Sequence, residues 1–126
     1  MEIIDLNHVA IHVKDLAASA EFYGEKLGLP SMPRPGFTFP GAWFRLGAYQ
    51  ELHIIDGRER DVVADKRGTH FALQVASTEA AWAELERRGL RPHSSQTRPD
   101  GALQFYLDDP DGHVIEFCQI AHLTHG

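Results

Sequence analysis

The sequence predicts an α+β fold made of two copies of one unit, each a strand, a helix and three further strands. Two short alternating runs, residues 7–13 and 69–75, both contain a histidine at or near their start. Each run is followed by an amphipathic helical stretch that ends in Gly-Leu, at residues 28–29 and 89–90. At 126 residues the chain suits one domain or two tightly fused halves. We therefore predict a single domain, 1–126, of two modules, 1–66 and 67–126.

The first module opens on a strand predicted over residues 3–13 and continues as a helix to Leu27. Asp15 is a suitable N-cap, and Gly28 ends the helix because glycine adopts the left-handed conformation at little cost. Residues 30–40 hold four of the seven prolines, which predicts a loop with a short edge strand. Two strands follow, near residues 41–46 and 50–55. A charged, linker-like stretch closes the module.

The second module repeats this order. A strand is predicted over residues 69–75, and Ser77 or Thr78 caps a helix that ends at Gly89. A short strand near Arg91 then precedes a polar loop. The last two strands are predicted at residues 103–107 and 114–120, joined by a turn of sequence Asp-Asp-Pro-Asp-Gly.

Strand alternation divides the side chains of these strands into two sets, one for each face of the sheets. One set is wholly apolar and is expected to pack beneath the helices. The other set mixes metal-capable, polar and aromatic side chains, the composition of a lined cavity. Its members are His8, Ala10, His12, Trp43, Arg45, Glu51, His53, His70, Ala72, Gln74, Gln104, Tyr106, Glu116 and Cys118.

Four metal-capable side chains lie at repeat-related positions within this second set. His8 and His70 open equivalent strands, while His53 and Glu116 lie midway along equivalent last strands. Two sheets related by a pseudo-two-fold axis would bring the four together. Three imidazoles and one carboxylate suit one divalent ion of Zn, Ni, Mn, Fe or Co, and leave positions open for water or substrate.

Two of these assignments have competitors. Glu51 shares a strand face with His53 one pleat away, and we prefer His53 because it matches Glu116 in the repeat. His12 also faces the predicted cavity, either as a further polar group or proton carrier or as a solvated side chain. Cys118 lies on the face of Glu116, where it is either a redox-sensitive neighbour of the site or a small core residue.

Composition excludes several classes of partner. The net charge is -6 and the basic residues do not cluster, so nucleic acid and anionic membranes are not expected. No apolar run approaches the ~20 residues that span a bilayer, and the N-terminus lacks the form of a signal peptide. The single cysteine excludes an internal disulfide. We expect a cytoplasmic protein.

Four segments, residues 8–16, 22–29, 70–75 and 109–117, resemble the vicinal oxygen chelate superfamily, also called the glyoxalase/bleomycin resistance/dioxygenase family. The resemblance covers nearly the whole chain and identifies the superfamily rather than an activity. It implies two βαβββ modules that form a curved mixed-sheet cup around a central, metal-lined cavity. It also implies ligands at His8, His70 and Glu116, with the His53 position occupied by Glu, Gln or His in different members.

The superfamily's reaction theme implies a metal-dependent enzyme that coordinates vicinal oxygens of a small substrate and stabilises an enediolate or oxyanion, as a glyoxalase-like lyase or isomerase does. Glu116, or Glu51 when it is not a ligand, would act as the base, although a metal-bound carboxylate is a weak base. Arg34 would reach a substrate carboxylate or phosphate. The expected substrate-binding residues are Arg34, Trp43, Arg45, Gln104, Tyr106 and His12.

Alternative activities within the superfamily remain open. A metal-free sequestering protein of the bleomycin-resistance type would lack the ligands that this chain keeps. A ring-cleaving dioxygenase would use His8, His70 and Glu116 as its two-His-one-carboxylate set. Glyoxalase I normally has glutamate where His53 stands. Fosfomycin-modifying enzymes have a cation-rich loop where residues 94–100 hold one basic residue, although Tyr106 matches a phosphonate-contacting tyrosine.

A homodimer is also expected. Two half-sheets leave edge strands and the mouth of the cup exposed, which favours pairing of two chains. In the superfamily the modules combine either within one chain or across a dimer, so the ligands of one site come from one subunit or from two.

Overall fold

Each half of the chain folds as a strand, a helix and three further strands in the computed structural model, which describes residues 1–120. The first unit ends at Asp61 and the second begins at Val62. The predicted α+β class is confirmed, with one four-stranded mixed sheet in each unit. Among the described residues no helix is long and apolar enough to cross a bilayer.

The first unit contains four strands and one helical segment. Its sheet has the order β1-β4-β3-β2, with β1 parallel to β4 and the other neighbours antiparallel. Its elements are β1 (His8–Val13), α1 (Leu16–Ala20) with a π-helical continuation (Glu21–Lys26), β2 (Ser31–Met32), β3 (Gly41–Leu46) and β4 (Gln50–Asp56).

The second unit has the same connectivity. Its sheet has the order β5-β8-β7-β6, and β5 is parallel to β8. Its elements are β5 (Phe71–Gln74), α2 (Thr78–Arg87), β6 (His93–Thr97), β7 (Leu103–Asp108) and β8 (Val114–Gln119).

Both predicted helix starts are confirmed by side-chain caps. Asp15 Oδ1 accepts a hydrogen bond from the Ala18 amide at 3.2 Å, and Ser77 Oγ accepts one from the Ala80 amide at 3.1 Å. Each cap satisfies one of the amides that a helix N-terminus leaves without an intrahelical partner. Gly28 follows the first helical segment with φ 84°, the left-handed conformation expected there.

The first helix differs from the prediction, because its second half is π-helical rather than α-helical. The Leu27 amide donates to the Phe22 carbonyl at 2.8 Å, five residues back. This wider turn accompanies the burial of two consecutive rings, Phe22 at 6% and Tyr23 at 0% exposure. Gly24 permits the approach to the sheet, since a Cβ there would lie 3.0 Å from Phe44 Cε1.

Strand β6 is a second difference. It lies where the sequence predicts a polar loop, and the described residues around Arg91 form no strand. Ser94 has φ 59°, and the pairing of β6 with β7 shifts register between His93 and Gln96. A bulged edge strand of polar side chains has no alternation of apolar and polar residues, so its sequence pattern predicts a loop.

The apolar face predicted for each sheet lies in the core. In the first unit Val13, Leu52 and Ile54 are fully buried, and in the second unit Ile115 is. Strands β7 and β8 are buried on both faces, because Gln104, Tyr106, Glu116 and Cys118 are also buried. Because the polar side chains of this face are buried, their hydrogen-bond partners must come largely from the protein itself.

Candidate metal and substrate site

The strand registers create one matching row of side chains across each sheet. In the first unit Ala10 pairs with His53, and His53 pairs with Trp43. In the second unit Ala72 pairs with Glu116, and Glu116 pairs with Tyr106. The row ends on Met32 in the first unit and on His93 in the second. His53 and Glu116 thus occupy equivalent backbone positions.

His53 lies in a stack of three rings in the first unit. Its centroid is 3.8 Å from that of Trp43, with parallel planes, and 4.1 Å from that of His8, with planes inclined by 16°. The lone pairs of stacked imidazoles lie in separate, nearly parallel planes, whereas two ligands of one ion direct their lone pairs at a common point. Joint coordination of an ion by His8 and His53 would therefore require one ring to turn.

Glu51 and His53 form a hydrogen-bonded pair. Glu51 Oε1 is 2.9 Å from His53 Nε2, and the two side chains are only 20% and 13% exposed. The sequence presents these residues as competitors for one ligand position. In the structure the two side chains are hydrogen-bonded to each other, so each orients the other.

His8 and His70 are each oriented through Nδ1 by an oxygen close by in sequence. His8 Nδ1 is 2.7 Å from Asn7 Oδ1, and His70 Nδ1 is 3.1 Å from the Gly68 carbonyl oxygen. A carbonyl oxygen can only accept, so it selects the imidazole form that carries a proton on Nδ1. In the neutral ring Nε2 then keeps its lone pair, the form that binds a metal ion.

His70 and Glu116 form the corresponding pair of the second unit. His70 Nε2 is 3.1 Å from Glu116 Oε1. With Nδ1 donating to Gly68, a neutral His70 would direct a lone pair at a carboxylate oxygen. Such an arrangement is favourable only with a proton or a cation between the two atoms. The donor chemistry of this pair therefore fits a divalent metal ion.

Two neighbours hold the Glu116 carboxylate, which is buried at 6% exposure. Gln104 Nε2 donates to Oε2 at 3.0 Å, and the Tyr106 hydroxyl donates to Oε1 at 3.4 Å. Burial, reinforced by the nearby Glu116 carboxylate, raises the pKa of Tyr106 and keeps the phenol a donor. Burial also raises the pKa of the Cys118 thiol, with Glu116 adding to the effect. Cys118 is thus a buried thiol rather than a nucleophile.

The remaining predicted substrate-binding residues, Arg45, His12 and Arg34, belong to β3, β1 and the loop between β2 and β3. Arg45 is half-buried and pairs in register with Glu51. His12 is exposed, and its Nε2 is 3.1 Å from the Asp56 carbonyl oxygen. Arg34 Nη2 donates to the Phe39 carbonyl oxygen at 2.8 Å.

The described residues 1–120 contain no group of three or more His, Cys, Asp and Glu side chains arranged to hold a metal ion. What they contain is one His–Glu pair in each unit, with His8 stacked beside the first. The four-ligand set of His8, His53, His70 and Glu116 stays a prediction.

Sequence reasoning missed His93. This residue ends the row of Glu116 and Tyr106, with Nδ1 2.8 Å from Ser94 Oγ and Nε2 3.0 Å from Asp108 Oδ1. Its ring centroid is 6.3 Å from that of Tyr106. Aligning the two modules on their last hairpins would have paired it with Met32, but the bulge at Ser94 disguises the strand.

Comparison with known proteins gives a consistent result. Residues 5–117 match the model of the Glyoxalase/Bleomycin resistance protein/Dioxygenase superfamily. The chain is 31% identical over 123 residues to the uncharacterized protein YwbC of Bacillus subtilis, covering 90% of this chain and 96% of YwbC. It is 32% identical over 117 residues to the glutathione transferase FosA of Serratia marcescens, covering 88% and 77% respectively.

The fold comparison agrees with the sequence comparison. The structure matches that of a glyoxalase family protein from Bacillus anthracis with a TM-score of 0.79 and 31% sequence identity. The match covers 94% of this chain and 97% of that protein.

Proposed function

Because the chain belongs to the glyoxalase/bleomycin resistance protein/dioxygenase superfamily, we propose that it is a divalent-metal-dependent enzyme acting on a small substrate with vicinal oxygens. One observation carries the proposal. His70 has its Nδ1 proton directed at Gly68 and its Nε2 directed at the buried carboxylate of Glu116, an arrangement that calls for a cation or a proton.

The proposed ligands are His8, His53, His70 and Glu116, holding one ion of Zn, Ni, Mn, Fe or Co. When bound, the ion would supply Lewis-acid stabilisation of negative charge on substrate oxygen. The oxygen of Asn7 and the carbonyl of Gly68 hold His8 and His70 in the ligating tautomer. Gln104 and Tyr106 hold the Glu116 carboxylate in one orientation.

Glu51 is the proposed base. Glu116 accepts hydrogen bonds from two donors and is proposed as a ligand, which lowers its basicity. The side chain of Glu51 is 20% exposed, and its carboxylate is hydrogen-bonded to His53. It can accept a proton from a substrate carbon or water and return it, while His53 keeps the carboxylate in place.

Each unit contains residues that we propose as substrate contacts. Trp43 and Arg45 lie on the strand that pairs with His53 and Glu51. Gln104 and Tyr106 lie on the strand that pairs with Glu116. Arg34 and His12 flank the first set, and we infer that the guanidinium groups meet the anionic part of the substrate.

The stacked rings of the first unit favour a second candidate, a metal-free ligand-binding protein. A parallel Trp43–His53–His8 stack offers flat apolar surface instead of converging nitrogens. In that case the outer rings of the stack, Trp43 and His8, would contact a ligand directly, and Glu51 would serve only to orient His53 between them.

Metal analysis separates the two candidates. Untagged protein is supplied in turn with Zn, Mn, Ni and Fe, desalted, and analysed for bound metal by mass spectrometry and titration calorimetry. We expect one ion per proposed site, with His70→Ala and Glu116→Gln weakening binding at least about tenfold, as even the loss of a supporting contact does. His113→Ala, in the β7–β8 turn, is the control and should bind normally. Absence of bound metal in all four samples excludes the metalloenzyme.

Metal binding also predicts a gain in stability. An ion present at 100 times its dissociation constant should add about 2.7 kcal/mol to the free energy of unfolding. The shift in melting temperature should disappear with a chelator. Loaded protein is then assayed with methylglyoxal hemithioacetal, with fosfomycin plus thiols, and with catechols, which distinguishes the lyase, transferase and dioxygenase reactions.

A further inference from the structure

A continuous row of aromatic rings extends from the proposed site residues of the first unit to its proline-rich loop. Phe37 lies next to the stack of His8, His53 and Trp43, with its centroid 6.0 Å from that of Trp43 and the two planes inclined by 49°. Phe37 in turn stacks on Phe39 at 5.1 Å. The row therefore connects two loop residues to the histidines without a break.

Arg34 is fixed against the outer end of this row. Its guanidinium carbon is 4.9 Å from the centroids of both Phe37 and Phe39, and its Nη2 donates to the Phe39 carbonyl oxygen at 2.8 Å. Gly41 leaves the space for it, because a Cβ there would lie 3.0 Å from Nε and 3.0 Å from Nη2. The guanidinium is thus held by two phenyl rings and a carbonyl oxygen, in space that the absence of a side chain at Gly41 leaves open. Its remaining N–H donors are available to an anion.

The two outer rings are left to solvent. Phe37 is 46% exposed and Phe39 is 43% exposed. Single exposed apolar residues are common on protein surfaces, but these two adjoin each other, a positioned cation and the site residues. Pro33, Pro35 and Pro40 restrict the backbone of the same loop. A surface that is already ordered loses little entropy when a ligand binds.

We propose that Arg34, Phe37, Phe39 and Trp43 form a platform that selects substrates carrying a flat, unsaturated ring with an anionic oxygen group. The inference rests on the proposed function, which places the reacting part of the substrate beside the proposed ligands and Glu51. A flat ring packs against the exposed parts of Phe37 and Phe39, and a carboxylate or phosphonate pairs with the guanidinium fork. The platform thereby determines which substrates are held, while Glu51 and the ligands carry the chemistry.

Three probe molecules of similar size distinguish recognition of the flat ring from recognition of the negative charge. Benzoate has a flat ring and a charge, cyclohexanecarboxylate has the charge on a puckered ring, and benzamide has the flat ring without the charge. Binding is followed through Trp43 emission in a Trp82→Phe background, with and without zinc. We expect benzoate to bind roughly three- to tenfold more tightly than cyclohexanecarboxylate, the range of a stacking contact.

Substitutions in the platform show which residues cause the preference for a flat ring and which cause the preference for a negative charge. Phe37→Leu and Phe39→Leu keep apolar bulk and should abolish the preference for the flat ring. Arg34→Gln should abolish the preference for benzoate over benzamide, and Arg34→Lys should restore part of it because the charge returns without the planar fork. Tyr49→Ala, an exposed aromatic outside the row at 62% exposure, is the control and should retain both preferences.

The outcomes distinguish this inference from the proposed function. If zinc binds but benzoate and cyclohexanecarboxylate bind equally, the platform is wrong and the metal proposal stands. If the ring preference is present without zinc binding, the platform stands and the metal-free candidate is favoured. If the Phe37 and Phe39 variants leave benzoate binding unchanged but alter the sedimentation of the protein, the rings are a contact between copies and the platform is overturned.

Discussion

The two histidines His8 and His70 reach the same tautomer through different chemistry. His8 uses the side-chain amide oxygen of its preceding residue, while His70 uses a backbone carbonyl two residues earlier. Alternation in the sequence predicts which face each imidazole occupies, but it cannot show which oxygen a ring nitrogen meets. The pairing of Glu51 with His53 is a second example, because the sequence alone presents the two as alternatives.

The hydrogen bond from Gln104 to Glu116 gives a prediction at this scale. Gln104→Leu removes a donor from a buried carboxylate, so we expect the free energy of unfolding to fall by about 1–3 kcal/mol. Urea denaturation followed by circular dichroism measures the change. Gln50→Leu removes an exposed hydrogen bond to Asp5 and should change stability by less than about 0.5 kcal/mol. Equal effects of the two substitutions would show that Gln104 does not support the carboxylate.

At the scale of elements, the strands with clear alternation were predictable and the irregular ones were not. Strands β3, β4, β7 and β8 lie within one or two residues of their predicted positions, because apolar and polar residues alternate along them or a turn bounds them. Strand β6 was missed because a bulge and polar side chains hide its pairing. The π-helical turn was missed because the burial of adjacent Phe22 and Tyr23 that accompanies it depends on tertiary contacts.

Strand β4 should carry much of the stability of the first unit. Leu52 is completely buried there, so Leu52→Ala should cost about 2–5 kcal/mol in the free energy of unfolding. Leu103→Ala, at a strand position that is 37% exposed, is the matched control and should cost clearly less. Thermal or urea unfolding of both variants tests the expectation, and similar losses would contradict the burial that the structure assigns to Leu52.

At the scale of the whole molecule, duplication of the unit was predictable from the sequence because histidine-bearing runs, helices and Gly-Leu endings recur in the same order. The equivalent rows of side chains that the strand registers create across the two sheets were only partly predictable. The equivalence of His53 and Glu116 follows from counting along the repeat, whereas that of Met32 and His93 depends on the bulge in β6.

The exposed apolar start of the chain leads to a prediction about assembly. Ile3 is 80% exposed, Ile4 is 85% exposed and Leu6 is 64% exposed, which favours a contact with a second copy of the chain. Ile3→Asp with Ile4→Asp should shift the protein toward monomers in sedimentation velocity. Val63→Asp, at 90% exposure near the boundary of the units, is the control. An unchanged sedimentation of the first variant would exclude residues 3 and 4 from a contact between copies.

The matching rows have a consequence for how such proteins change over time. One backbone position accepts either His or Glu, its neighbour either Trp or Tyr, and the outermost position either Met or His. One unit of such a scaffold can exchange a side chain at a given position while the other unit keeps its own. New reactivity can therefore arise by single exchanges within one half, without any remodelling of the architecture that carries them.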